Sequence, residues 1–380
     1  MSRGIDRRRL LALGGAAAAA SLMPRPAAGR VALRTGQPVD AGDYPLHEAS
    51  WYKKIDGGRI QCQLCPNKCE VADQERGSCG GRQNDKGTYY TLVYGRACAV
   101  HIDPVEKKPF FHVLPGAQAL SYATAGCNVE CKFCQNWEIS QFRPEQVRAV
   151  WLPPKALVAA AENNDVPLVA ATYSEPSIFW EYVRDVSRAA RHRPVRSLVV
   201  SNGYIEKKPL EEVLPLLAAY KVDLKGFREK FYEEQIRGTL KPVLETLETI
   251  RASGTWLEIV VLIIPTLNDS EAEVTDLCRW VKANLGPDIP VHFTRFHPTY
   301  RLKNLPPTPV PTLDRAWKIG RAEGLHYVYV GNVPGHPGES TYCPKCGTRV
   351  IHRVGYEIVA NRLKRGRCPN CGLSIPGVWW

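Results

Sequence analysis

The sequence predicts an α/β chain: a parallel βα sheet or barrel with a small cysteine-rich module on either side. Three observations carry this reading. From about residue 119 onward, apolar and β-branched runs alternate with helical ones. The strand-like runs are continuously apolar rather than alternating, as in L-E-I-V-V-L-I-I at 257–264, which marks strands covered on both faces. Eleven of the thirteen cysteines fall into three tight groups: Cys62, Cys65, Cys69 and Cys79; Cys127, Cys131 and Cys134; and Cys343, Cys346, Cys368 and Cys371. Close C-x2-C pairs suit a metal better than a disulfide framework, which usually staples distant segments.

The 380 residues, 44% of them hydrophobic, can bury a large core. The formal charge of +12 is unevenly placed. Residues 1–30 carry six Arg against Asp6, and residues 341–380 carry seven Lys or Arg against Glu357, so the middle is nearly neutral. That argues against a basic nucleic-acid surface on the central domain and leaves RNA contact or a solvated face for the C-terminal segment.

Residues 1–30 read as a leader: Arg7 and Arg8 precede a short, Ala-rich apolar run from Leu10 to Met23, with small residues at 27–29. The pattern resembles a twin-arginine export signal, which implies a periplasmic or cell-envelope location; without export the protein is cytoplasmic. The run is too weakly apolar for a confident membrane span, and none is expected beyond it. Residues 31–118 form the N-terminal cysteine-rich region, with 31–55 as linker. In C-x2-C-x3-C-x9-C, Cys62, Cys65, Cys69 and Cys79 make a complete four-ligand set for zinc or a second iron–sulfur cluster. The Pro- and charge-punctuated run H-I-D-P-V-E-K-K-P-F-F-H at 101–112 is expected to be irregular. Cys98, beside His101, is a stray ligand or structural.

Residues 119–335 carry the βα series. Strands are predicted at 120–124, 168–172, 198–201, 221–224, 257–264, 291–295 and 327–330, with helices near 154–163, 176–190, 209–219, 241–252, 270–284 and 312–322. Cys278 falls inside the fifth helix and reads as core. The polar residues that stand out follow the strands: Cys127, then Tyr173, Ser174 and Glu175, then Asn202, then Asp223 and Lys225, then Asn268 and Asp269, then His292 and His297, then Asn332. In parallel βα barrels the reactive site is built at this end. Lys225 and Asp223 lie two apart and project to one side, as a structural ion pair or as site residues. Residues 336–380 form the C-terminal module, where Cys343-x2-Cys346 and Cys368-x2-Cys371 read as a zinc-ribbon knuckle pair.

The triplet in A-G-C-N-V-E-C-K-F-C-Q-N-W is the most telling group. A cubane [4Fe–4S] cluster normally takes four cysteine ligands, so three on one loop leave one iron open to a non-protein ligand. S-adenosylmethionine fits that opening through its amino and carboxylate groups. A zinc site, or a disulfide with a spare thiol, is the alternative on spacing alone.

With these motifs the chain resembles radical S-adenosylmethionine enzymes of the pyruvate formate-lyase activating enzyme-like group. It is most similar to those of the AmmeMemoRadiSam system, through C-Q-L-C-P-N-K-C, I-D-P-V-E-K-K-P-F-F-H, the triplet run, T-Y-S-E-P, V-D-L-K-G-F, I-I-P-T-L-N-D-S and V-H-F-T-R-F-H-P. The resemblance runs from about residue 58 onward and implies a partial (β/α)6-type TIM barrel. It implies that Cys127, Cys131 and Cys134 ligate the catalytic cluster and that Phe133 lies against the adenine, with Gln135 in the same loop. Tyr173-Ser174-Glu175 stands where relatives often have G-G-E, the edge that receives the methionine amino group, so Ser174 and Glu175 fall in the cosubstrate site. Asn202, Asp223, Lys225 and His292 match positions around the ribose and carboxylate.

The implied activity is reductive cleavage of S-adenosylmethionine and hydrogen abstraction from an unidentified substrate, with a protein of the same gene system as one candidate and a reductant as a necessary partner. A glycyl-radical activase, an RNA-modifying enzyme and a non-catalytic iron–sulfur electron carrier are the alternative readings.

Overall fold

The structure, a computed structural model, describes residues 45–380; the leader reading lies outside the described residues. Eight strands form one sheet: β1 (Ala99–Pro104), β2 (Gln118–Ala123), β3 (Leu168–Ala171), β4 (Arg196–Ser201), β5 (Ala219–Asp223), β6 (Trp256–Ile263), β7 (Val291–Arg295) and β8 (Val328–Gly331). Their spatial order follows the chain, β1 through β8, and every pair from β2 to β8 is parallel. The sheet therefore curls as an open, partial barrel with β1 and β8 at its edges. Helices α1 (Pro154–Glu162), α2 (Trp180–Ala190), α3 (Lys207–Val213), α4 (Lys241–Ser253), α5 (Glu271–Asn284) and α6 (Val310–Ala322) cross between successive strands.

Apolar faces explain the packing. Val158, Val183, Val213, Leu247 and Leu277 of the helices are buried in the same core as Val199, Val222, Ile259 and Phe293 of the strands. Cys278 is fully buried there, a core residue as read from its helix. Ser270 caps α5 by accepting from the Glu273 amide.

Three local expectations differ from what forms. The run at 101–112 is not wholly irregular: residues 99–104 pair antiparallel with β2 through six register partners. As an edge strand, β1 tolerates charges and a terminal Pro104, which lacks an amide proton and would break a central strand. The helix expected at 209–219 stops at Val213 and tightens into a 3₁₀ turn, because Pro215 disfavours continuation, and the chain re-enters the sheet at Ala219. A helical turn at Glu229–Phe231, continuing through Tyr232–Ile236, was not signalled by periodicity.

Before the barrel, two small antiparallel sheets (Tyr52–Lys54 with Ile60–Cys62 and Glu70–Val71; His47–Glu48 with Thr88–Thr91 and Arg82–Asp85) carry the first cysteine group. They are clamped to α2 by a fully buried ion pair, in which Arg82 donates from both terminal nitrogens to Glu181 at 2.9 and 2.5 Å. After the barrel, Thr341–Tyr342, Arg349–Val354 and Glu357–Asn361 form a three-stranded sheet. Its Arg353, fully buried, donates to the Phe111 carbonyl at 2.6 Å. The same 105–114 loop is pinned by Val378, whose amide donates to the His112 carbonyl and whose carbonyl accepts from Leu114.

Candidate active site

The triplet occupies the loop leaving β2. Gly126 holds φ of +106°, and a side chain there would meet the Cys79 carbonyl at 2.8 Å, so only glycine fits. Asn128 anchors the loop by donating to the Tyr204 carbonyl at 2.6 Å and to Ser177 Oγ at 3.1 Å. Asn202 donates to Asn128 Oδ1 at 2.9 Å and lies 3.9 Å from Cys127 Sγ. Cys134 Sγ sits 3.1 Å from Ser140 Oγ. Burial pushes the Cys131 thiol up to about 12 and the Cys127 thiol well above its usual range. Without a cation to stabilise thiolate, such sulfurs stay protonated.

The three triplet cysteines line a cavity of about 690 Å³ that is walled by the barrel strands and open to one side. Phe133, Gln135, Ser174 and Glu175 line it beside them. Asn202, Asp223, Lys225 and His292 line it from β4, β5 and β7 and the segments that follow, and Asn332 joins them. Asn268, Asp269 and His297 do not: Asn268 and Asp269 instead accept from the Ile264 and Thr266 amides of their own turn.

The charges in this cavity are held in place. Glu175, 3% exposed, accepts from the Asn202 amide (2.8 Å), the Ser177 amide (2.9 Å) and Ser201 Oγ (2.7 Å); burial still raises its pKa above the ordinary carboxylate value. Asp223 pairs with Lys225 at 2.9 Å and with Lys221 at 3.1 Å. Burial opposes its ionisation, yet the two ammonium groups hold its pKa down to about 2. His292 lies deeper: its Nε2 is 2.7 Å from Glu258 Oε2, with both side chains buried. Burial lowers the His292 pKa, while Glu258 is kept low by His292 against its own burial; a neutral imidazole thus donates to a carboxylate.

Three sulfurs on one loop, next to groups of both signs in one cavity, fit an iron–sulfur cluster and a zwitterionic sulfonium ligand.

Sequence reasoning missed Lys221 and Glu258, both buried inside strands, although a charged residue within an otherwise apolar run is itself a signal. It also gave no role to Asp103 and Lys108, and assigned Tyr173 only to the edge segment beside Ser174 and Glu175. Tyr173 Oη lies 2.5 Å from Asp103 Oδ2, and Lys108 Nζ donates to both at 2.9 Å.

The outer cysteine groups differ in spacing. Cys343, Cys346, Cys368 and Cys371 bring their sulfurs within 4.8 Å of one another, with 3.5 Å between Cys343 and Cys371 and 3.6 Å between Cys346 and Cys368, so the set can hold a metal. Among the described residues it is the one group this compact. The N-terminal quartet lies behind the triplet loop: Asn67 donates to the Asn128 carbonyl at 2.8 Å, and Cys79 and Cys127 line one shared cleft.

The profile of the Radical SAM superfamily matches residues 121–278. An uncharacterized protein of Methanocaldococcus jannaschii is 41% identical over 332 residues, covering 87% of this chain and 99% of that protein. Benzylsuccinate synthase activating enzyme of Thauera aromatica is 23% identical over 130 residues, or 34% of this chain and 39% of that enzyme. A radical SAM methyltransferase from Sphaerobacter thermophilus superposes with a TM-score of 0.46 at 15% identity, covering 78% of this chain and 81% of that one. The chain belongs to the Radical SAM superfamily. Membership implies a [4Fe–4S] cluster, S-adenosylmethionine and a source of electrons.

Proposed function

We propose that the protein reductively cleaves S-adenosylmethionine at a [4Fe–4S] cluster held by Cys127, Cys131 and Cys134, giving a 5′-deoxyadenosyl radical that takes hydrogen from a second substrate. The observation that carries this is the convergence of the triplet, Glu175, Asn202, Asp223, Lys225 and His292 on one cavity walled by the barrel strands. In this reading Phe133 lies against the adenine, and the backbone around Ser174, with Glu175 behind it, receives the amino group. Lys225 and Asp223 supply both signs of charge for the zwitterion. The barrel wall keeps water from the radical.

Within the superfamily the quoted motifs support a reading of the chain as an AmmeMemoRadiSam-system enzyme, for which a protein of the same gene system is one candidate substrate. The similarity to benzylsuccinate synthase activating enzyme favours a second reading, in which a glycine of a partner protein is the hydrogen donor. The ribbon quartet holds zinc in this account: a tetrahedral site with Zn–S near 2.3 Å places sulfurs about 3.8 Å apart. The wider N-terminal quartet, against the triplet loop, suits a second iron–sulfur cluster that passes electrons inward.

Anaerobic reconstitution with dithionite tests the main reading. Release of 5′-deoxyadenosine is expected from the intact protein and not from the Cys127→Ala, Cys131→Ala, Cys134→Ala variant; equal release from both refutes it. A glycine-centred EPR signal on a partner selects the second reading. Iron remaining in the triplet variant, and lost when Cys62 and Cys65 are also replaced, assigns the N-terminal quartet; zinc there refutes that assignment.

A further inference from the structure

We propose that Lys108 and Lys221 form an anion-binding subsite in the barrel cavity that takes a carboxylate or phosphate group of the second substrate. The word substrate rests on the radical reading above; the binding site itself does not.

Lys221 projects from β5 on the same face as Asp223, one step deeper, and is 4% exposed. Its ion pair is with Asp223 Oδ1, while Oδ2 of the same carboxylate accepts from Lys225. One carboxylate thus serves two ammonium groups. The carboxylate opposite Lys221 in the sheet, Glu258, is already engaged by the Phe111 and His112 amides, at 3.0 and 2.9 Å, and by His292 and Trp256.

Lys108 comes from the E-K-K-P run and is 3% exposed, with its ammonium 4.1 Å from the centre of the Tyr173 ring. Asp103 again serves two cations, Lys107 on Oδ1 at 2.8 Å and Lys108 on Oδ2 at 2.9 Å. Tyr173, which orients Lys108, holds φ of +67°, a conformation that residues other than glycine adopt only when their surroundings impose it.

Other acids on this cavity are engaged elsewhere at least in part. Glu175 accepts the three hydrogen bonds described above and Glu339 accepts from the Gly335 and Gly355 amides. Glu106 accepts from the Gly116 amide on Oε1 beside Arg353, while its Oε2 has no hydrogen-bond partner and burial raises its pKa. Two buried ammonium groups that repel each other therefore share their counter-charges with two further lysines. Burial lowers the pKa of both, that of Lys108 to about 8. Buried cations without full counter-charge are costly, and an anion entering the cavity completes them. A carboxylate or phosphate matches two ammonium donors in charge and in acceptor number.

Calorimetric titration of the cluster-reconstituted protein with succinate and, separately, inorganic phosphate tests this at pH 7. We expect saturable one-site binding of at least one anion, weakened about tenfold or more by Lys221→Met and by Lys108→Met. Lys221→Arg should restore binding, and Lys318→Met, on the outer face of α6, should leave it unchanged. Preference for phosphate points to a phosphate ester as substrate, and preference for succinate to a carboxylate. Binding of neither anion by the intact protein overturns the proposal, as does undiminished binding in both methionine variants. Lys221→Gln serves in place of Lys221→Met should that variant not fold. The triplet variant should still bind the anion. Absence of 5′-deoxyadenosine release from the intact reconstituted protein, with anion binding retained, removes the radical reading and leaves the subsite.

Discussion

Gly126→Ala tests how the N-terminal cysteine region is seated on the triplet loop. At φ of +106° a β-carbon lies 2.8 Å from the Cys79 carbonyl oxygen and 2.8 Å from Ile178 Cδ1. The isoleucine end can swing away, but the carbonyl is backbone. Backbone strain contributes about 1–3 kcal/mol and the overpacked contact about 1–3 kcal/mol more, so a loss of roughly 2–6 kcal/mol is expected. Gly254, at the C-terminus of α4, is the comparison: its φ is +79°, but nothing lies within 4 Å of a β-carbon there. Gly254→Ala should cost about 1–2 kcal/mol from backbone conformation alone. Urea unfolding of the two variants in the same reconstituted state measures the difference. Equal destabilisation would refute the contact between Cys79 and the triplet loop, and with it the route from the N-terminal quartet to the active site.

Three further outcomes follow from the geometry. Arg82→Met leaves Glu181 buried without its cation and should cost about 3–5 kcal/mol, part of which Arg82→Met with Glu181→Gln should recover; strictly additive losses would contradict the buried pair. Burial depresses the Lys108 pKa to about 8, so the charged form is lost as pH rises through that value. Succinate stays fully ionised there, so its affinity should fall above about pH 8 in the intact protein and fall less in Lys108→Arg, whose guanidinium keeps its proton while Lys221 still titrates; identical profiles in the two rule out a role for the Lys108 charge. Removing zinc from the ribbon with a chelator should expose four thiols to a colorimetric reagent and open residues 355–357 to protease while the iron stays in place; four thiols reactive before chelation would mean that the ribbon holds no metal.

Much of the barrel and its site was legible because a parallel sheet buried on both faces leaves few places for polar side chains. In this chain Glu175, Asn202 and Lys225 stand just beyond apolar strands, and they converge as the fold closes. Lys221 and Glu258 escaped notice because they lie within strands, where a charge reads as a blemish in an apolar run. β1 was hidden by Pro104 and its neighbouring charges, which only an edge position excuses. The approach of Cys79 to Gly126 and the buried Arg82–Glu181 pair are tertiary contacts between distant segments, which no periodicity encodes.

The pinning of the 105–114 loop bears on when the protein becomes competent during synthesis. That loop carries Lys108 and Phe111 to the cavity, yet it is fastened by Arg353 and by backbone bonds to Val378. A ribosome will have delivered the triplet, all eight strands and most of the barrel core before either fastener emerges. The 105–114 wall of the cavity is thus fastened after the barrel, so a nascent chain has its cysteines in place to collect iron well before that wall is fixed.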